Sequence, residues 1–122
     1  DGRWFEVLAW GVFTDRIVSP GYVVDIADAT RHLVTTAAAP GLYHCVNDGH
    51  ASWYDVAGEV AALVGNQRPS LVGVTMDQMK LKAPRPQYCA LSVAKLAAAG
   101  FTMPAWRDAL RRWLTARGAL TT

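Results

Sequence analysis

The sequence predicts an α/β fold in which short strands alternate with helices. Three observations point there: short apolar runs rich in β-branched and aromatic residues, helical periodicities between them, and Gly, Pro or Ser at the changes of period. At 122 residues the chain can bury one modest core. Hydrophobic residues make up 52% and charged residues 18%, which excludes a disordered chain.

Taken in order, Trp4–Trp10 reads as a strand rich in aromatic and β-branched residues, broken by Gly11. Residues 15–22 form a loop, because Pro20-Gly21 is strong turn chemistry. From Val23 the period changes: Ile26, Ala29, Thr30, Leu33 and Val34 recur at helical spacing and predict a helix over 23–36. Asp25 and Asp28 fall in its first turns, where acids suit the helix dipole, and Pro40-Gly41 closes the region. Leu42-Tyr43-His44-Cys45-Val46 predicts a short strand covered on both faces, as in a parallel sheet flanked by helices. Asn47-Asp48-Gly49 turns the chain.

Ser52 caps the next helix, with Asp55 completing a capping box in place of the usual Glu. Val56, Val60, Leu63 and Val64 give this helix an apolar face, and Gly65 is a natural stop. Leu71–Val74 reads as a strand and residues 76–82 as a short helix. Lys82-Ala83-Pro84-Arg85-Pro86 must be irregular but ordered, because each proline removes a donor and restricts its predecessor. Ser92 caps a helix over 93–99 that Gly100 ends. Pro104 stands near the start of the last helix, where Trp106, Leu110, Trp113 and Leu114 form an apolar stripe.

Several function classes are disfavoured. Lys plus Arg number 12 against 10 for Asp plus Glu, and a net charge of +2 is too small a surplus to imply nucleic-acid binding. The bunched Arg107, Arg111, Arg112 and Arg117 read as a solvated helix face. No apolar run approaches the roughly 20 residues of a membrane span. The first residues lack the pattern of a signal peptide and open without Met, as a fragment, a processed chain or a trimmed one would. Cys45 and Cys89 have no metal or redox spacing and read as two buried free thiols, in keeping with a cytoplasmic location.

Catalytic groups are scarce. His32 falls on a helix, His44 in the apolar run, where it reads as a core or interface histidine, and His50 in a turn; no spacing links them into a metal site. Gly-x-Gly-x-x-Gly, the P-loop and Gly-x-Ser-x-Gly are absent, so neither a dinucleotide nor an ATP site of those kinds is expected on this chain. No tyrosine has a lysine four positions on.

Two segments stand out. Ser19-Pro20-Gly21-Tyr22 runs into a helix start, where backbone N–H groups and a hydroxyl can receive an anion or a sugar hydroxyl, although a plain helix start accounts for it equally well. Arg85 lies between two prolines, which fix the backbone and can present its guanidinium fork to a phosphate, although an arginine in a surface loop is normally innocuous.

In order and spacing these landmarks resemble a known family. Asp15-Arg16-Ile17-Val18-Ser19-Pro20-Gly21-Tyr22, continuing to Asp25-Ile26-Ala27, is similar to a stretch written Asp-Gln-x-x-Ser-Pro-Thr-Tyr-x-x-Asp-Leu-Ala. Gly41-Leu42-Tyr43-His44 and Ser52-Trp53-Tyr54-Asp55-Val56-Ala57 resemble Gly-x-Tyr-His and Ser-Trp-Tyr-x-Phe-Ala. Arg85-Pro86, Leu91, Lys95-Leu96, Gly100-Phe101, Pro104, Trp106 and Ala109-Leu110 resemble the closing stretch of the same family. The chain is thus identified as resembling the C-terminal, substrate-binding part of sugar-nucleotide reductases of the dTDP-4-dehydrorhamnose reductase type, extended short-chain dehydrogenase/reductases.

The resemblance implies that residues 1–50 form a strand-loop-helix-strand unit that docks on a Rossmann sheet, and residues 51–122 a small, mainly helical substrate lobe. It implies a nucleotide-sugar ligand near Arg85 and Pro86, with Arg16, Ser19, Pro20 and Tyr22 at the edge of the site. NADPH or NADH and the Thr/Ser-Tyr-Lys catalytic set belong to the Rossmann part, which this chain lacks, so no catalytic residue is assigned to it. The expected partner is that missing part or a second copy. Gly21, Arg16 and Cys89 replace the family's usual Thr, Gln and Ser, which leaves a related reductase or epimerase acting on another nucleotide-sugar open. A binding remnant that serves a protein partner is the alternative from another class.

Overall fold

Residues 10–65 and 71–120 are described by the structure, a computed structural model, and they form the expected mixture of short strands and helices. Two units interleave along the chain: Asp1–Ile17 with Ala51–Cys89, and Val18–His50 with Ala90–Thr122. The chain therefore crosses from one unit to the other at 17/18, 50/51 and 89/90.

In the first unit, strand β1 (Trp10–Phe13) pairs in parallel with β4 (Leu71–Val74), Trp10 opposite Leu71 and Phe13 opposite Val74. Parallel strands need a long crossover, which includes helix α2 (Trp53–Val64), packed on both strands. The strand expected over 4–10 lies, except for Trp10, outside the described residues. Gly11 does not break it but sits inside β1. Gly73 is the more constrained glycine, because a Cβ there would lie 2.6 Å from Thr14 Cγ2.

Helix α2 begins as the sequence predicts. The Asp55 N–H donates to Ser52 Oγ at 3.0 Å and the Ser52 N–H donates to Asp55 Oδ2 at 3.3 Å, so two otherwise unsatisfied donors close a reciprocal box. Its apolar face is half-buried, with Val64 exposed. Gly65 ends it at φ +72°.

The helix expected over 76–82 is only a 3-10 turn, Met76–Gln78. The Thr75 N–H donates to Gln78 Oε1 at 2.8 Å and the Gln78 N–H donates back to the Thr75 carbonyl at 3.1 Å, which closes one turn on itself. Residues 79–82, Met79 and Leu81 included, are exposed, so no buried face extends it. Three two-residue strands, β2 (Ile17–Val18), β3 (Ala51–Ser52) and β5 (Tyr88–Cys89), are ordered β3-β2-β5.

The second unit packs α1 (Val23–Thr35), α3 (Ala94–Ala98) and α4 (Trp106–Ala116). Ala29, Leu96 and Met103 form its buried centre, supported by Ile26, Leu33, Cys45, Val93 and Phe101. Val34, counted with the inward periodicity in the sequence, instead faces out at 74% exposure, as does Val23 at 71%. Helix α3 starts one residue later than expected, and Ser92 Oγ still accepts the Ala94 N–H at 3.3 Å. Gly100 ends the region at φ +98°, a conformation side-chain-bearing residues rarely adopt.

Residues 42–46 are not a strand. They are irregular, with a bend at Val46 and no ladder among the described residues, and Leu42 is 75% exposed. An apolar run marks an extended segment without specifying that a partner strand lies beside it. Here the Lys95 Nζ donates to the Leu42 carbonyl at 2.8 Å and stacks 4.6 Å above the Tyr43 ring. His44 is exposed rather than a core residue. Cys45 and Cys89 are free and half-buried, less sequestered than expected.

Candidate functional site

Each unit holds part of the residue set that the sequence singles out. In the first, Arg85 is exposed between exposed Pro84 and Pro86, and its guanidinium has no hydrogen-bond or ion-pair partner among the described residues. Neither proline can donate a backbone N–H, and together they keep the segment out of both helix and ladder. The next residue fastens it: the Ile17 N–H donates to the Gln87 carbonyl at 2.8 Å.

That bond brings Arg16 beside the same segment. The Arg16 carbonyl accepts the Trp53 N–H at 3.3 Å, so the start of α2 fixes its backbone. The Arg16 Nε is buried and has no hydrogen-bond partner among the described residues. A buried guanidinium donor without an acceptor is an uncommon and unfavourable state. Asp15, one residue earlier, is committed elsewhere, its carboxylate accepting the Met76 N–H at 3.0 and 3.2 Å. One segment pair therefore carries two guanidinium groups. An uncharged ligand gains little from either group, whereas a phosphate or carboxylate can accept from a guanidinium fork.

In the second unit, Ser19, Pro20 and Tyr22 are tied down rather than open. Ser19 Oγ accepts the Leu91 N–H at 3.0 Å and the Pro20 carbonyl accepts the Asn47 N–H at 3.0 Å. The Tyr22 N–H donates to Asn47 Oδ1 at 2.7 Å. A side chain of the protein thus already accepts the Tyr22 N–H.

Behind this segment lies a polar cluster that the sequence reading did not find. Asn47 is 0% exposed and Asp25 5% exposed. The Asn47 amide nitrogen donates to Asp25 Oδ2 at 2.7 Å and to the Pro104 carbonyl at 3.0 Å. Arg112 donates to both Asp25 oxygens, at 2.9 and 2.6 Å, and through Nε to Asp108 at 2.8 Å. The Arg112 guanidinium holds the Asp25 carboxyl below its usual range, burial opposes this, and the Asn47 hydrogen bond adds to it. Arg112 is in turn raised by its two carboxylate partners.

Arg112 is therefore not part of a merely solvated basic face. Two neighbours also have defined contacts, Arg107 lying 4.4 Å above the Trp106 ring and Arg117 4.9 Å above Trp113. A signal was present: Asp25 and Ala29 share one side of α1 at a spacing of four, so an acid on the inward face demanded a partner. The partner's identity, 87 residues away, was not readable.

His32 serves packing. Its Nε2 lies 2.9 Å from the Ala99 carbonyl, which can only accept, so that nitrogen carries the proton. Among the described residues no group of three or more His, Cys, Asp or Glu is placed to hold a metal ion. No helix among them is long and apolar enough to cross a membrane.

The family model described as RmlD substrate binding domain matches residues 8–118. The spore coat polysaccharide biosynthesis protein SpsK of Bacillus subtilis is 36% identical over 108 residues, covering 88% of this chain and 37% of that protein. The dTDP-4-dehydrorhamnose reductase of Mycolicibacterium smegmatis is 34% identical over 112 residues, covering 91% of this chain and 34% of the reductase. Among solved structures, the dTDP-4-dehydrorhamnose reductase of Bacillus anthracis, in complex with NADP, superposes with a TM-score of 0.79 at 28% identity. That match covers 91% of this chain and 38% of the reductase. The chain thus spans little more than a third of the length of these relatives.

Proposed function

We propose a function from one premise: the chain belongs to the RmlD substrate binding domain family. It is the nucleotide-sugar-binding part of a reductase that acts on a 4-keto sugar carried on dTDP, and Arg85 is its contact to the diphosphate. The observation that carries this reading is Arg85 itself, exposed between two prolines and without a hydrogen-bond or ion-pair partner among the described residues, on a segment whose Gln87 is hydrogen-bonded to the residue after Arg16. The names of the relatives agree with the chemistry: two of them are reductases of a dTDP-linked sugar.

In this reading Arg85 and Arg16 bind oxygens of the diphosphate and Pro86 sets the angle of approach. Ser19, Pro20 and Tyr22 form a separate contact, assigned to the ligand's outer edge. Binding energy gathered at a diphosphate, away from the reacting carbon, orients the sugar for a step performed elsewhere.

The residues present do not fit a nicotinamide dinucleotide. The sequence has no Gly-rich phosphate turn, and β1 runs instead into Thr14 and the acid Asp15. A hydride donor, and the acid–base pair for reduction, are assigned to polypeptide other than this chain, which by itself turns nothing over. Val23, Val34 and Leu42, all more than 70% exposed, support the pairing of this part with further polypeptide. A cytoplasmic site of action accompanies this role.

Calorimetric titration with dTDP tests the assignment. Arg85→Ala should weaken binding by about tenfold, the loss of one charge-assisted contact, with no change in the unfolding midpoint. Arg85→Lys should recover only part of that affinity, because an ammonium cannot form the paired fork. Equal affinity in the wild type and Arg85→Ala removes Arg85 from the site.

A further inference from the structure

We propose that Arg112, on the last helix, is a positioning residue for the Ser19–Tyr22 segment, acting through Asp25 and Asn47. The inference rests on the reading that this segment contacts the nucleotide-sugar, and adds the residues that give it its shape.

The relay starts at Asn47. Its backbone N–H holds the Pro20 carbonyl and its side-chain oxygen holds the Tyr22 N–H, so one residue grips the segment on both sides of Gly21. Only one orientation of the carboxamide serves. The oxygen must face the Tyr22 donor, and the nitrogen must face two acceptors, the Asp25 carboxylate and the Pro104 carbonyl. Reversing it would set oxygen against oxygen on one side and N–H against N–H on the other.

Asp25 selects that orientation only while it remains an ionised acceptor in a fixed place, and Arg112 supplies both conditions. Its two terminal nitrogens bind the two Asp25 oxygens in a fork, and its Nε is anchored by Asp108 one helical turn earlier. The Arg112 guanidinium also lies 5.4 Å from the Tyr22 ring centre. Charge on α4 is thereby converted into a defined backbone path at Pro20–Tyr22. Gly21, between the two held groups, contributes no side-chain anchor of its own, and a Cβ there would stand 3.0 Å from Ile26 Cδ1.

Arg112→Lys keeps the charge and removes the fork. The test compares it with Arg85→Ala in the full chain, following amide exchange of Tyr22 and Leu91 by NMR and dTDP affinity by calorimetry. Arg112→Lys should lower Tyr22 protection and dTDP affinity together, each by roughly fivefold or more, with the unfolding midpoint nearly kept. Arg85→Ala should lower affinity and leave Tyr22 protection unchanged, a pattern that a general loss of fold would not produce.

Wild-type protection of Tyr22 in Arg112→Lys overturns the relay. Lost protection with unchanged dTDP affinity overturns the positioning role while leaving the diphosphate reading intact. Failure of the wild-type chain to bind dTDP overturns that reading, and with it the positioning role. Should Arg112→Lys fail to fold, Asp25→Asn carries the same comparison, because it is isosteric and replaces the ionised acceptor that Arg112 holds by a neutral amide.

Discussion

Asn47→Ala removes a carboxamide that is 0% exposed and makes three side-chain hydrogen bonds, to the Tyr22 N–H, Asp25 and the Pro104 carbonyl. Asp25 keeps Arg112, so it loses only a supporting donor. The part-buried Tyr22 N–H loses its acceptor, whereas the Pro104 carbonyl keeps the Asp48 N–H. With a net value of about 1 kcal/mol for each bond, and an orphaned buried group costing about 1–3 kcal/mol, the substitution should destabilise the chain by about 3 kcal/mol. A domain of this size is stable by roughly 5–15 kcal/mol, so the effect is large. Urea unfolding followed by tryptophan fluorescence measures it, and an unchanged m-value would certify the same transition. Asn47→Asp provides the control for packing, because it keeps the volume. It points a carboxylate oxygen at Asp25 and at the Pro104 carbonyl, and should be at least as harmful as alanine at neutral pH, recovering as acid protonates the introduced group. If Asn47→Asp fell within about 0.5 kcal/mol of wild type at neutral pH, the hydrogen-bond reasoning would be refuted.

Other outcomes follow from the same geometry. The Asp25 carboxyl is held below its ordinary value by Arg112, so its contribution is fully present above the ordinary carboxylate value of 3.8 and lost as pH falls through the lower folded value. Urea midpoints of wild type and Asp25→Asn should converge toward the acid end; a constant gap would contradict the ion pair. Gly100→Ala should destabilise the chain by about 1–2 kcal/mol, through the positive φ of +98° and a Cβ that would stand 3.2 Å from His32 Nε2. Thermal unfolding reads that loss, and a neutral result would show that the turn relaxes freely. Ser52→Ala should cost about 1 kcal/mol by opening the box at α2, and a matched Asp55→Ala should add little to it, since both bonds belong to one cap.

What the sequence made legible was local. Ser52 and Asp55 are three residues apart, and both halves of their box are written within four positions. Gly100 stops its helix because no neighbour is needed to make a positive φ easy for glycine. The Pro-Arg-Pro segment restricts itself, and the structure keeps it irregular and exposed. Where the outcome depends on a distant partner the reading failed. Residues 42–46 have the composition of a strand, but a ladder requires a second strand alongside. Residues 76–82 had helix-compatible residues but no buried face, so a single turn sufficed. Asp25 looked like a helix-dipole acid, because the arginine that pairs with it arrives 87 residues later on another helix. The candidate site divides in the same way. Arg85 and the Ser19–Tyr22 segment were visible as motifs, whereas Asn47 and Arg112, which hold that segment, carry no short-range signature.

In the proposed reading the residues of this chain recognise the nucleotide-diphosphate end of a sugar nucleotide, and hydride chemistry is assigned to polypeptide outside them. Parallel calorimetric titrations of the wild-type chain with dTDP and with NADPH test it most directly. Saturable heat with dTDP and none with NADPH is the predicted result. Saturation by NADPH alone would contradict it.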